Sequence, residues 1–493
     1  MASIGDLPDE ILSDVFSLVI HNSRIFPNAF KTENTFRECV VLIDISRVCR
    51  RWRKVALTNP SLWSTLCVHL HDPSVKTLRQ AAKFAEFCLA RSQNHPLTCA
   101  ITISHLKDLW LAHPLMQVVA SHQSHWSRIA VDITPLPQPP EGASVDANAE
   151  EHSIVLKNVG ARTLKEFRSN IGSWLEYSMS EPLPALQSLR IVGYPFTGCI
   201  YHLAKWLPLA PNLLELEVTF GDDRFSKHAS EHKKRVEGAT RREMGRNPHF
   251  LLPNLRSLNV WPLLLPYLTC PSLERYVMEY IPWNPKNSRN FVEFIERSAP
   301  STLRTLEMKS SSSFLTIRPV LDYLLPTITH LLVTSPGEVF FNIFSGRSKD
   351  GLGFRLLPGL EHLEITNCAD ICLPFFLRLV TARWDIGVPH RTLKSVRLKK
   401  CFEDIAIPEI LLSPPSGGID LTQVEEKWRV MARIVNEGFL ISVFLYISFQ
   451  LQNTRINYAN CNCTSENLKI LVANGLANGE GDALAILILT RMT

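Results

Sequence analysis

Apolar residues near the start of the chain fall into two stripes of helical period. Ile11, Leu12, Val15, Phe16 and Val19 stand at i, i+1, i+4, i+5 and i+8, which is one side of a helix. Pro8 precedes them at a position where its missing N–H is not needed, and Asp9 and Glu10 follow where the helix dipole favours negative charge. After a polar, less regular segment over about residues 21–35, Leu42, Ile45, Val48, Cys49, Trp52 and Val55 recur every three or four residues. This spacing predicts one amphipathic helix with Arg47, Arg50, Arg51, Arg53 and Lys54 mostly on its outer side. Asn59-Pro60 ends it, because the residue before a proline is pushed out of the helical region. Leu62 and Trp63 then offer large apolar side chains for packing back onto the helices.

Two helix-then-strand patterns follow over residues 75–133. "VKTLRQAAKFAEFCLARS" and "LMQVVASHQSHW" have helical period; "PLTCAITIS" and "SRIAVDIT" alternate like strands. Residues 135–153 are a Pro- and acid-rich loop. Beyond it, L-x-x-L-x-L recurs from Leu164, Leu186, Leu213, Leu255, Leu273, Leu303, Ile328, Leu360 and Leu393, at spacings from 18 to 42 residues. This is a loosely kept leucine-rich-repeat signature. Each L-x-L strand turns alternate residues inward, and no single unit buries its apolar face alone, so the units stack. The longest spacing holds a charged insertion, residues 222–246. Residues 421–439 read as an amphipathic helix that caps the stack. The remainder departs from the repeat; the abrupt change over 438–461 is what a translated intron would produce. The expected fold class is therefore α/β: a small helical module (1–70), an irregular leucine-rich-repeat-like solenoid (71–420) and an atypical tail (421–493).

Composition narrows the function classes. Hydrophobic residues make up 45% and charged residues 20%, which belongs to a folded chain. The net charge of +5 is too small for a dedicated nucleic-acid binder, so nucleic acid is not an expected partner. Gly5-Asp6 and Asp9-Glu10 interrupt any apolar leader, so the 12 cysteines are expected reduced, in cytoplasm and/or nucleus. The run Phe439–Phe449 is shorter than the roughly 20 residues a bilayer needs, so no membrane insertion is expected.

Candidate chemistry is sparse. His228, Glu231 and His232 match H-x-x-E-H, whose two histidines can meet zinc on one helix face. The surrounding Lys233, Lys234, Arg235, Arg241 and Arg242 oppose a cation, and no third ligand is evident; the basic run reads as a solvated face or a nuclear signal. Cys461 with Cys463, and Cys368 with Cys372, lack a second ligand pair at zinc spacing, and Cys368 reads as a buried repeat residue. Asn462 opens a glycosylation sequon that matters only in the secretory pathway. Walker, G-x-S-x-G and strand-linked G-x-G-x-x-G motifs are absent. No catalytic residue, cofactor or metal is expected.

Leu7-Pro8, Ile11-Leu12, Val15-Phe16, Val48-Cys49-Arg50-Arg51-Trp52 and Pro60-x-Leu62-Trp63 together resemble an F-box, over about residues 4–67. The wording is similar to that of fungal, basidiomycete-type F-box proteins. It departs from the usual F-box by about 20 extra residues before the "VCRRW" helix. The resemblance implies a helical module that docks on a Skp-type adaptor and through it on a cullin–RING ubiquitin ligase. It implies adaptor contacts at Leu7, Pro8, Ile11, Leu12, Val15 and Phe16, some of which also face the module's core, and a core of Val48, Cys49, Trp52, Leu62 and Trp63. The expected function is the substrate-recognition subunit of a Skp–cullin–F-box ligase, its solenoid binding a protein target. The alternatives are an F-box scaffold acting outside ubiquitin transfer and, remotely, a zinc hydrolase at the H-x-x-E-H match.

Overall fold

A computed structural model describes residues 7–23, 37–107, 109–135, 154–156, 162–170, 175–177, 181–193, 203, 206–220, 249–262, 264–278, 285–309, 327–346, 354, 356–385, 392–401, 411, 418–444, 446–449 and 483–486. The insertion at 222–246, the loop at 136–153, His228, Glu231, His232 and the Cys461–Cys463 pair lie outside these residues. The chain forms two compact units, Met1–Leu255 and Arg256–Thr493.

The first unit opens with three helices: α1 (Asp9–Ser23), α2 (Arg37–Val48) and α3 (Arg50–Thr58). The second apolar stripe therefore belongs to two helices, not the single one its spacing predicts. Cys49 is the reason. Its backbone is extended (φ −155°, ψ 172°), and its thiol sulfur accepts the Trp52 N–H at 3.4 Å, capping α3. The break resets the helical phase. Leu42 and Ile45 face inward from α2, Val55 and Ala56 from α3, and Val48 and Cys49 at the corner are exposed.

Asn59 stops α3, accepts the Ser61 N–H at 3.1 Å, and donates to the Ser13 hydroxyl, tying the turn to α1. Pro60 starts a short 3-10 turn that ends at Trp63. Two residues later β1 (Thr65–His71) begins. It is the first of six parallel strands, with β2 (Leu97–Leu106), β3 (Trp126–Pro135), β4 (Glu166–Ser169), β5 (Ser188–Gly193) and β6 (Glu215–Phe220) added in order. The crossovers carry α4 (Val75–Ser92), capped by the Ser74 hydroxyl on the Thr77 N–H, and α5 (His113–Ser121). Leu66, Val68, Cys99, Ile101, Ile129 and Val131 are buried, while the alternate residues are half-buried or exposed. One sheet face thus builds the core with the helices, and the other is open.

The second unit repeats this design with seven parallel strands: β7 (Ser257–Val260), β8 (Arg275–Met278), β9 (Thr305–Met308), β10 (His330–Thr334), β11 (His362–Thr366), β12 (Ser395–Lys399) and β13 (Leu440–Phe444). Its helices are α6 (Pro285–Ser298), α7 (Glu338–Phe344), α8 (Leu373–Trp384) and α9 (Glu426–Asn436). α9 does not end the stack as the sequence predicts: β13 follows it in register, Val396 beside Ile441 and Leu398 beside Val443. Gly438, at φ +99°, makes the turn between them, a conformation that L side chains rarely adopt.

All nine repeat positions from Leu164 to Leu393 are buried. The residue three before each of six of them closes a tight turn; Leu186 N–H to Leu183 C=O at 3.1 Å is one case, and Leu360 to Leu357 another. Ser335, Asn367 and Lys400, each just past a strand, take left-handed backbone, and the first two donate their N–H to the carbonyls of Thr366 and Lys399 in the next unit. The helical module is thus followed by a large parallel α/β sheet region of solenoid-like build.

Candidate functional site

Two surfaces are available for binding: one side of α1 with the α2–α3 corner, and the open face of the sheet. On α1 the apolar arc is wider than the core beneath it. Leu12 and Phe16 are buried, and Phe16 packs on Trp52 at 5.1 Å between ring centroids. Pro8, Ile11, Val15 and Leu18, stepping by three or four residues, lie on the flank of that arc. Pro8 is exposed, Val15 is half-buried, Ile11 is 45% exposed and Leu18 62% exposed. Val19 and Val48 add further exposed apolar surface, Val48 at 61%.

Of the six residues expected at an adaptor contact, four therefore keep accessible surface: Leu7, Pro8, Ile11 and Val15. Leu12 and Phe16 are spent on the core. Of the five expected core residues, Leu62 and Trp63 are buried and Trp52 is half-buried. Val48 and Cys49 lie outside the core, for the capping reason given above. Leu18, seven residues past Ile11, lies on the same flank although it stands outside the stripe of Ile11, Leu12, Val15, Phe16 and Val19.

The basic residues also divide. Arg50, Arg53 and Lys54 are exposed, as their spacing predicts. Arg51 turns back instead. It pairs with Asp9 at 2.8 Å and donates to the Leu7 carbonyl, fixing the Leu7-Pro8 approach to α1. Arg53 donates to the Ser46 carbonyl at 3.0 Å, across the Cys49 corner.

The open sheet face carries ion pairs between neighbouring strands. In the first unit Arg168 stands 3.7 Å from Asp132 and Arg190 3.1 Å from Glu217. In the second, Arg275 pairs with Glu307, Lys394 with Glu361 at 2.8 Å, and both Arg397 and Lys399 with Glu364. His330 and His362 stack on adjacent strands at 4.4 Å between centroids, and His362 shares a 2.8 Å hydrogen bond with Ser395. Lys394 holds the Glu361 carboxyl below its ordinary range; burial, then His330, lowers His362.

Nothing in the described core has the pattern of a nucleophile or a metal site. Burial pushes the Cys270 thiol up to about 12 and raises Cys372, which keeps both protonated at neutral pH. Cys368 is buried, as expected of a repeat residue. Among the described residues no three His, Cys, Asp or Glu side chains are grouped to hold a metal ion, and no helix is long and apolar enough to cross a membrane.

No curated protein matches the chain. The helical module does have a family: residues 4–69 match the F-box-like family and form an F-box-like domain, a protein-interaction module.

Proposed function

We propose that this protein is the target-recognition subunit of a Skp–cullin–F-box ubiquitin ligase. The observation that carries the reading is the uncovered apolar flank of α1 within an F-box-like domain: Pro8, Ile11, Val15 and Leu18. A module this small buries little surface by itself, and apolar side chains left on one helix flank are what a partner helix would cover. The adaptor docks there and links the chain to a cullin–RING ligase. The open face of the parallel sheet receives a protein target. Ubiquitin transfer is then chemistry of the ligase partners, and this chain contributes proximity.

The test is capture of purified Skp-type adaptor by the full chain. Ile11→Asp with Leu18→Asp abolishes capture while the circular dichroism spectrum is unchanged, because neither residue is in the core. Unchanged capture would refute the assignment of this flank. Capture without ubiquitin transfer to any bound protein in a reconstituted ligase would instead favour a scaffold acting outside ubiquitin transfer.

A further inference from the structure

The positive charge of the chain is not spread evenly. Residues 44–125 hold ten Lys and Arg against four Asp and Glu, whereas the whole chain holds 52 against 47. Much of this local excess stands on the outer sides of α3 and α4. On α3, Val55 and Ala56 are buried, and Arg50 and Lys54 stand exposed on the opposite side, one turn apart. On α4, Leu78, Ala81, Ala85 and Leu89 are buried, and Lys76, Arg79 and Lys83 line the opposite side, all three exposed. Both helices meet the Trp63 side chain, α3 through the Ala56 carbonyl and α4 through Phe87.

Among the described residues, none of these five cations forms an ion pair. Two carboxylates of the helical domain are already paired, Asp9 with Arg51 and Asp44 with Arg47. Glu86 is the single carboxylate of α4. Lys76, Arg79 and Lys83 step by three and then four residues, so their charges repeat about every 4.5 to 6 Å along one line of the helix. A partner helix with carboxylates at the same steps has the same repeat. Nucleic acid fits this surface less well, because Phe87 is covered by the Arg91 guanidinium at 3.5 Å, which takes the ring a base would stack on. A bilayer also fits less well: Leu78 and Leu89 are spent on the core, so α4 has no apolar side to lay into it.

We propose that the outer side of α4 binds an acidic helical segment of a partner protein. Lys76, Arg79 and Lys83 make charge-assisted hydrogen bonds to its carboxylates, and Arg50 and Lys54 on α3 add to the attraction. This is a third surface, apart from the α1 flank and the open sheet face, and it stands whether or not the receptor reading does.

The experiment is fluorescence anisotropy with the full chain and four probes. They are a labelled alanine-based helical peptide with glutamate at every third or fourth position, the same composition broken by prolines, a DNA duplex, and phosphatidylserine vesicles. The helical peptide binds, weakens as salt is raised, and is preferred over the other three. Lys76→Glu with Lys83→Glu weakens it about tenfold or more, and this variant instead binds the matching lysine peptide. Both side chains are exposed, so the circular dichroism spectrum and urea midpoint of the variant stay as they were. Arg289→Glu with Arg304→Glu in the second unit makes the same change in net charge and leaves binding within about twofold. Absence of helical-peptide binding, equal binding of the broken peptide, tighter binding of duplex or vesicles, or an unweakened Lys76→Glu with Lys83→Glu variant overturns the proposal. Adaptor capture, measured on the α1 variants, is independent of all these results.

Discussion

Trp63→Ala should destabilise the helical domain and the sheet together. The side chain is 1% exposed. Its indole N–H donates to the Ala56 carbonyl of α3 at 2.7 Å, and its ring meets Phe87 of α4 edge-on at 5.5 Å. The Arg91 guanidinium covers the same pair, 5.7 Å from the Trp63 centroid and 3.5 Å from that of Phe87. Truncation to alanine removes the contacts of the indole with Ala56, Phe87 and Arg91 and leaves a cavity, a loss of about 3–5 kcal/mol. Trp63→Phe keeps most of the buried area but strands the Ala56 carbonyl, at about 1–2 kcal/mol. The assay is native-state hydrogen exchange read by mass spectrometry. Trp63→Ala lowers the opening free energy of peptides from both α3 and α4, because one side chain joins them. A loss confined to α3, with α4 protection unchanged, would refute the claim that the F-box-like domain and the sheet region share a core. So would a loss below about 1 kcal/mol.

Three further outcomes follow from the same structure. Trp52→Ala costs about 1–3 kcal/mol in urea unfolding, since Trp52 is half-buried against Phe16, while the exposed Val48→Ala stays within about 0.5 kcal/mol. Arg383→Met costs about 3–5 kcal/mol by the same measurement: the buried guanidinium, its pKa pushed down to about 9 by burial, donates to the carbonyls of Phe344, Leu356 and Leu357, which would be left unpaired. For pH, burial and then His330, with Lys394 and Arg397 beside them, hold His362 below its usual value of 6.5 against the opposing pull of Glu361. The folded state therefore takes up this proton after the unfolded state does, so its contribution is intact above about pH 6.5 and is lost as pH falls below it. His362→Gln should flatten the decline in urea midpoint between about pH 7.5 and 5.5, and an unaltered slope would count against this group.

Much of the solenoid-like region was legible because a strand inside a repeat must bury fixed positions whatever surrounds it. Every leucine or isoleucine marked by L-x-x-L-x-L is buried. Where the first position is another residue, the repeat disappeared from view. At β13 it is Gly438, so the motif reads Gly438-x-x-Ile441-x-Val443, and the strand passed for tail. At β3 it is Trp126, followed by Ile129 and Val131; at β1 it is Trp63, followed by Leu66 and Val68. In the helical domain the stripes located the helices, but periodicity alone did not reveal that Cys49 caps α3 and so turns Val48 outward. The same limit applies to α1, where composition cannot divide one apolar arc between core and partner.

The two tryptophans explain how a helical domain can run into a sheet without a linker. Trp126 donates its indole N–H to the Val119 carbonyl of α5, seven residues back, at 3.3 Å; Trp63 does the same to Ala56 of α3, also seven residues back. In each case a helix, a short 3-10 turn, the tryptophan and a parallel strand follow in that order. α3 is therefore both the last helix of the F-box-like domain and the helix of the first strand's repeat. An isolated sheet would begin with an apolar edge to cover, as the end units of stacked repeats do. Here the F-box-like domain supplies that cover from its own core. A partner docked on the flank of α1 is then joined to β1 through packed side chains, with Arg51, Asn59 and Trp63 as successive links between α1, α3 and the sheet. In the proposed ligase subunit, whatever the open face of the first unit holds is tied to that partner through packed side chains, as proximity-based transfer requires.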